Sequence, residues 1–180
     1  MRFYSTQQGY SLVEVLVAVA VLLISIVGPL TIASKGLKNA STAKQQNTAF
    51  FLAQEGLESV VKLREDSALD AFVNSTGDVW SAVEALDDSD VCSIANPCGV
   101  DIENGGSLFL CSDRTCDLYR MSSGQARFEH NETGSATVYN RQIILSADSE
   151  RLYVQSIVTW GEAADERVAL SMYLYNIYEN

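Results

Sequence analysis

Proline and histidine are almost absent from this chain, with 2 Pro and 1 His among 180 residues. So little proline excludes polyproline and collagen-like architectures, and the 11 Gly are too few for a low-complexity chain. A single histidine, His130, leaves no His pair for a metal site and only one base for a catalytic triad. The sequence holds no H-E-x-x-H, no G-x-S-x-G, no Walker loop and no C-x-x-C redox pair. Catalytic machinery is therefore not visible, and neither enzyme activity nor a cofactor is expected. Basic residues are also scarce: 12 Lys plus Arg stand against 23 Asp plus Glu, a net charge of -11. That balance opposes broad electrostatic binding of nucleic acid or anionic headgroups. What the chain has is apolar content, 47% against 19% charged, enough for a folded core.

Charge and apolarity are segregated. Residues 66–180 carry 19 acidic and 6 basic side chains, whereas residues 10–65 carry 4 and 5. From Val15 to Ser34 run 20 residues without a charge. As a helix they cover roughly 30 Å, the thickness of a bilayer's hydrocarbon core. A secretory h-region usually spans about 7–15 apolar residues, so this run reads as a membrane helix, although Ala18-Val19-Ala20 imitates a signal cleavage site. Arg2 precedes the run and Lys35, Lys38 and Lys44 follow it, which by the positive-inside count favours an exported N-terminus. Four cysteines in an acidic segment after the run argue more strongly for the opposite, N-terminus in and head out, because an oxidising compartment explains them.

Glu14 interrupts this pattern at the edge of the run. Within Ser11-Leu12-Val13-Glu14 it completes a capping box, hydroxyl and carboxylate each accepting from a free backbone N–H where the helix begins. A carboxylate this close to hydrocarbon is nevertheless costly unless paired, which makes it a functional candidate as well.

The run Gly9-Tyr10-Ser11-Leu12-Val13-Glu14-Val15-Leu16-Val17-Ala18 resembles the N-terminal signature of type IV pilin-like proteins. The resemblance implies a leader of residues 1–9, cleavage between Gly9 and Tyr10 by a membrane prepilin peptidase, and methylation of the new N-terminus at Tyr10. It implies that Glu14, the fifth residue after the cut, pairs with the N-terminal amine of a neighbouring subunit during assembly. Tyr10 departs from the commoner Phe, and the leader has Arg2 as its single basic residue. Gly28-Pro29 predicts a kink or melted turn, since an internal proline removes one helical hydrogen bond and clashes with the carbonyl four residues back. Pilin-like proteins often carry a helix breaker in this region; a tolerated membrane proline is the plainer reading.

Beyond the assembly helix of residues 10–34, an amphipathic continuation is expected over 35–65. Leu37, Ala40, Ala43, Phe50, Phe51, Leu57, Val60, Val61 and Leu63 recur at helical spacing among Lys and Gln. Residues 10–65 then form one helix, about 80 Å if straight. Ala53-Gln54-Glu55-Gly56-Leu57-Glu58 is similar to the stretch found here in minor pilins of the PilV-like type, and also reads as a solvated helix face around a close-packing glycine.

Residues 66–180 form the expected extracytoplasmic head, loop-rich over 66–120 with a sheet over about 107–178. Residues 66–106 read as irregular, with a short helix around Val79–Leu86. Thr137–Ala147, Arg151–Gly161 and Arg167–Tyr178 are enriched in Val, Ile, Tyr and Thr, residues 153–160 and 168–175 alternate with period two, and short turns join the three, predicting an antiparallel meander that the long helix covers. Further strands are expected at Ser107–Cys111 and Leu118–Phe128. The run from Tyr139 to Leu145, then Val154 to Trp160, then Tyr173-Leu174-Tyr175-Asn176, is similar to the C-terminal sheet of PilV-like and related minor pilins.

Cys92, Cys98, Cys111 and Cys116 favour two disulfides, for which three connectivities exist; the local pairs Cys92–Cys98 and Cys111–Cys116 are preferred over a zinc site, whose C-x2-C knuckle is missing. Asp87, Asp88 and Asp90 lack the glycine and distal glutamate of an EF-hand and read as a solvated loop. Asn39, Asn74 and Asn131 head N-x-S/T sequons. The fold expected is α+β and pilin-like, a long N-terminal helix packed on an antiparallel sheet. The function implied is a minor pilin of the cytoplasmic membrane and then of a pilus, its partners being prepilin peptidase, other pilin subunits and, before assembly, lipid. A pseudopilin of a secretion or DNA-uptake machine shares the same helix physics. A signal-anchored binding module or adhesin, retaining residues 1–9, is the reading from another class, and a membrane-tethered enzyme is third.

Overall fold

A computed structural model describes residues 9, 11–74, 92–102, 105–122, 127–147, 151–161 and 164–176. The expected helix at Val79–Leu86, the acidic triplet Asp87, Asp88 and Asp90, the leader residues 1–8 and Tyr10 lie outside them. The chain divides into two compact units, Met1–Gln45 and Gln46–Asn180. One helix, α1 (Leu12–Asn74), contributes to both.

In the first unit α1 is apolar and exposed. Every described residue from Ser11 to Lys44 is exposed, and the helix is long and apolar enough to cross a membrane. Its hydroxyls are satisfied within the helix: Ser25, Thr31 and Ser34 donate to the carbonyls of Val21, Val27 and Leu30 at 2.7, 2.8 and 2.9 Å. Such back-bonding lets a polar side chain sit in an apolar run without exposing an unpaired donor. The break expected at Gly28-Pro29 is not a melted turn, for α1 continues as α-helix through Pro29. Proline removes a single N–H, and the apolar turns on either side propagate the helix past it.

In the second unit Ala49, Leu52, Ala53, Gly56 and Val60 are buried. Their spacing marks one face of a helix, and three of the five are Ala or Gly, so backbone and sheet approach closely. α1 runs nine residues past the expected end at 65, to Asn74. Nothing there stops it, since Lys62 pairs with Asp66 at 3.0 Å, Asn74 donates to Asp70 at 2.7 Å, and Ala71 is buried.

Seven strands form one sheet among the described residues: β1 (Cys98–Asp101), β2 (Ser107–Leu110), β3 (Asp117–Arg120), β4 (Phe128–Glu129), β5 (Ser135–Ala147), β6 (Arg151–Trp160) and β7 (Glu166–Tyr175). β5, β6 and β7 make the antiparallel meander. The single strand expected at Leu118–Phe128 is instead two, β3 and β4, paired antiparallel. β1 was not anticipated: its four residues are too few to show a period, and its place comes from pairing with β2 and with Ile143 of β5. β5 is the hub, bonded along one edge to β6 and along the other to β1 and β3.

Period two assigns the faces. Leu152, Val154, Ser156, Val158 and Trp160 of β6 are all buried; of these, Leu152 and Val154 join Ile143, Leu145 and Leu174, Val60 of α1, and Cys92 and Cys98 in one core cluster. A second cluster gathers Ala49, Leu52 and Ala53 with Leu118, Tyr139, Val158 and Trp160. The architecture is α+β and pilin-like, a long N-terminal helix packed on an antiparallel sheet.

Candidate assembly site

The first described helical bond runs from the Val15 N–H to the Ser11 carbonyl, 3.2 Å. Ser11 is thus the N-cap and Glu14 lies in the first turn. A carboxylate there is favoured by the partial positive charge of the helix end. Glu14 is exposed, and among the described residues no cation pairs with it. Directly after it come the uncharged residues from Val15 to Ser34. Gly9 is exposed, with no atom within 4 Å of where a side chain would begin.

Residues 4–28 match the family described as the prokaryotic N-terminal methylation motif. That match covers the N-terminal segment alone, which is similar to that of type IV pilin-like prepilins. The motif implies processing by prepilin peptidase and assembly with other pilin subunits, and it is the mark of structural subunits. Together with the apolar helix it points to anchoring in the inner membrane before incorporation into a filament. Comparison with curated proteins and with solved structures gives no match.

The stretch from Ala53 to Glu58 does more in this pilin-like head than present a solvated face. Arg141 is fully buried and donates from one Nη to Glu55 at 2.7 Å and to the Leu52 carbonyl at 3.3 Å. Burial lowers its pKa from the usual value, and the Glu55 charge opposes that shift. Beside it, a Cβ on Gly56 would lie 2.5 Å from Ser156 Oγ and 2.9 Å from Ile143 Cδ1. Glu55 and Gly56 therefore fix the helix on the sheet, one by charge and one by close approach. Sequence reasoning did not pick out Arg141, although its parity with Tyr139, Ile143 and Leu145 places a cation in an apolar row, which is a readable signal.

The cysteines form two disulfides, Cys92–Cys98 and Cys111–Cys116. The first lies in the core, its loop tied to β5 by the Leu145 N–H donating to the Cys92 carbonyl at 2.7 Å. The second closes the loop that carries Arg114. Arg114 donates to Asp101 at 2.7 Å and to the His130 carbonyl, and its guanidinium lies 4.6 Å over the Phe109 ring.

His130 sits under that loop, 1% exposed, its Nδ1 3.1 Å from the Asp117 carbonyl and its ring edge-to-face with Phe109. Burial, reinforced by the nearby Arg141 charge, lowers its pKa to about 4, so it is neutral at physiological pH. This histidine is a packed structural group. No cluster of metal-ligating side chains occurs among the described residues. Of the sequon asparagines, Asn39 and Asn74 stand exposed on α1, while the Asn131 side-chain amide oxygen Oδ1 caps its own turn by accepting from the Thr133 N–H and hydroxyl.

Proposed function

We propose that this chain is a minor type IV pilin, cut between Gly9 and Tyr10, methylated at Tyr10, and built into a pilus through α1 with its head outside the cell. The observation that carries the reading is Glu14: a carboxylate at the mouth of a bare apolar helix, without a counter-ion among the described residues, inside a methylation motif.

The physical logic is neutralisation. Cleavage leaves an α-ammonium on Tyr10, four residues before the Glu14 carboxylate. Each charge is expensive next to hydrocarbon, and removing one partner of a buried pair costs about 3–5 kcal/mol. Adjacent subunits relieve both when the ammonium of one meets the carboxylate of the next, and because the two groups sit at fixed positions, the pairing also sets the axial register. Before assembly the apolar helix is covered by inner-membrane lipid; afterwards it is covered by its neighbours. Nucleic acid is not expected as a partner, given the net charge of -11. The similarity of the C-terminal strands to minor pilins favours a minor over a major subunit, and two disulfides suit a head in an oxidising compartment.

Replacing Glu14 by Ala tests this directly. Prepilin cleavage should proceed nearly as in the wild type, while the variant's content in filaments sheared from cells should fall at least about tenfold. Undiminished incorporation would refute the pairing. A protein wholly absent from sheared filaments, in wild-type form, would move the pseudopilin reading to first place.

A further inference from the structure

β7 ends the sheet on one side and differs from the strands that end it on the other. There the edge strands are β2, with four residues, and β4, with two. β7 has ten, and among the described residues it pairs with β6 alone. In an antiparallel pair every second residue turns its N–H and C=O away from its neighbour, so the outer edge of β7 presents a row of backbone donors and acceptors about 33 Å long. Proteins ordinarily blunt such an edge with lysine, proline, a bulge or an inward-pointing charge. β7 contains no Lys and no Pro, its register with β6 runs unbroken from Glu166 to Tyr175, and its charges, Glu166 and Arg167, stand together at one end.

The apolar side chains along that edge are incompletely covered. Val154 and Val158 of β6 are 0% exposed, whereas Met172 and Val168, their partners on β7, are only partly buried, as is Leu170 between them. All lie on the inner face and pack against the core clusters. The difference is lateral: β6 has a strand on both sides, and β7, among the described residues, has one on a single side.

We propose that the outer edge of β7 docks one extended segment of another protein, which adds a further strand to the sheet and carries apolar side chains at alternate positions. A row of backbone N–H and C=O groups is satisfied along its length by another extended backbone, and Val168, Leu170 and Met172 select apolar residues with period two on the same face. Ala169 and Ser171, exposed on the opposite face, leave the intervening positions to polar residues. A second copy of β7 fits less well. Antiparallel pairing of like edges relates two heads by a two-fold axis through the sheet and turns the helices packed on them opposite ways, whereas subunits anchored in one membrane share a direction; the choice against a second copy rests on the proposed function, the docking edge does not.

The test is an anisotropy titration of a labelled, end-blocked peptide with the full chain in detergent. The peptide has the sequence of β6, Arg151–Trp160, which is the strand that β7 already accepts along its other edge. Two further copies are N-methylated at alternate residues, one at the odd and one at the even positions. The parent peptide should bind; one methylated copy should lose at least about tenfold in affinity and the other should keep it, because a strand docks by one edge. Leu170→Lys puts an inward-pointing charge at the edge and should weaken binding at least about tenfold with the far-ultraviolet dichroism unchanged. If that variant does not fold, the methylated pair decides. Glu14→Ala, which tests the assembly role, should leave peptide binding as it is, so that the two readings fail separately. No binding of the parent peptide, equal behaviour of the two methylated copies, or a folded Leu170→Lys chain that binds like the wild type would overturn the proposal. A dimer of the chain that dissociates on Leu170→Lys would overturn it in favour of a second copy.

Discussion

The two stretches of α1 share a backbone conformation and little else. From Leu12 to Lys44 no side chain is buried, although most are apolar; from Ala49 to Ala71 six residues are buried and the rest are largely polar or charged. The later stretch is held by tertiary packing, which is what stabilises most helices in proteins. The earlier one has no such packing among the described residues. In the assembly proposed above, lipid or other helices cover it, and Glu14 at its start is the charge that a neighbour neutralises. A core residue and an assembly residue can thus be told apart by whether the chain closes over them.

That contrast makes changes in the head and changes at the N-terminus separable. Glu14→Ala, with its expected tenfold loss from filaments, should leave the urea midpoint of the detergent-solubilised chain unmoved. A shift of that midpoint would mean that Glu14 is part of the chain's own fold.

Within the head, the largest effect should come from acid. His130 has its pKa lowered to about 4 in the folded state, against about 6.5 when unfolded. The unfolded chain therefore binds the extra proton first as pH falls. This contribution to stability is full above about pH 7, declines between 6.5 and 4, and is lost below, amounting to about 3 kcal/mol. Urea titrations across that range, followed by the fluorescence of buried Trp160, should show it, and His130→Gln should remove that part of the slope. An unchanged slope would mean that His130 is solvated in the folded head.

Glu55→Ala should cost about 2–3 kcal/mol, less than a wholly buried pair because Glu55 is 42% exposed, since it strands the fully buried Arg141 charge. Adding Arg141→Met should restore most of the loss. If the double variant is worse than the single, the pair contributes more than charge neutrality. Replacing Cys92 and Cys98 together by Ser should cost about 2 kcal/mol, the entropy of so short a loop, and should leave incorporation into filaments intact so long as the head folds.

Much of this was legible in the sequence because it rests on local periods. The uncharged run after Glu14 announces its helix, and Val154 to Trp160 announces a strand with one covered face. The local cysteine spacings likewise suggest the pairs found. What was not legible depends on contacts between distant segments. β1 exists because Cys98–Asp101 finds β2 and Ile143. His130 lies in a polar stretch and is buried by Phe109 and by Arg114, which a disulfide brings to it. The end of α1 was set too early because Asp66 and Asp70 read as the start of a loop, whereas each is paired one turn away along the helix.

In the proposed function the N-terminal segment is cut and methylated before assembly. The most direct test of this is the mass of the N-terminal peptide of the protein isolated from native membranes. A chain that begins at N-methylated Tyr10 is the predicted result; a chain that still carries Met1 or Arg2 would contradict it and make an anchored binding module the better description.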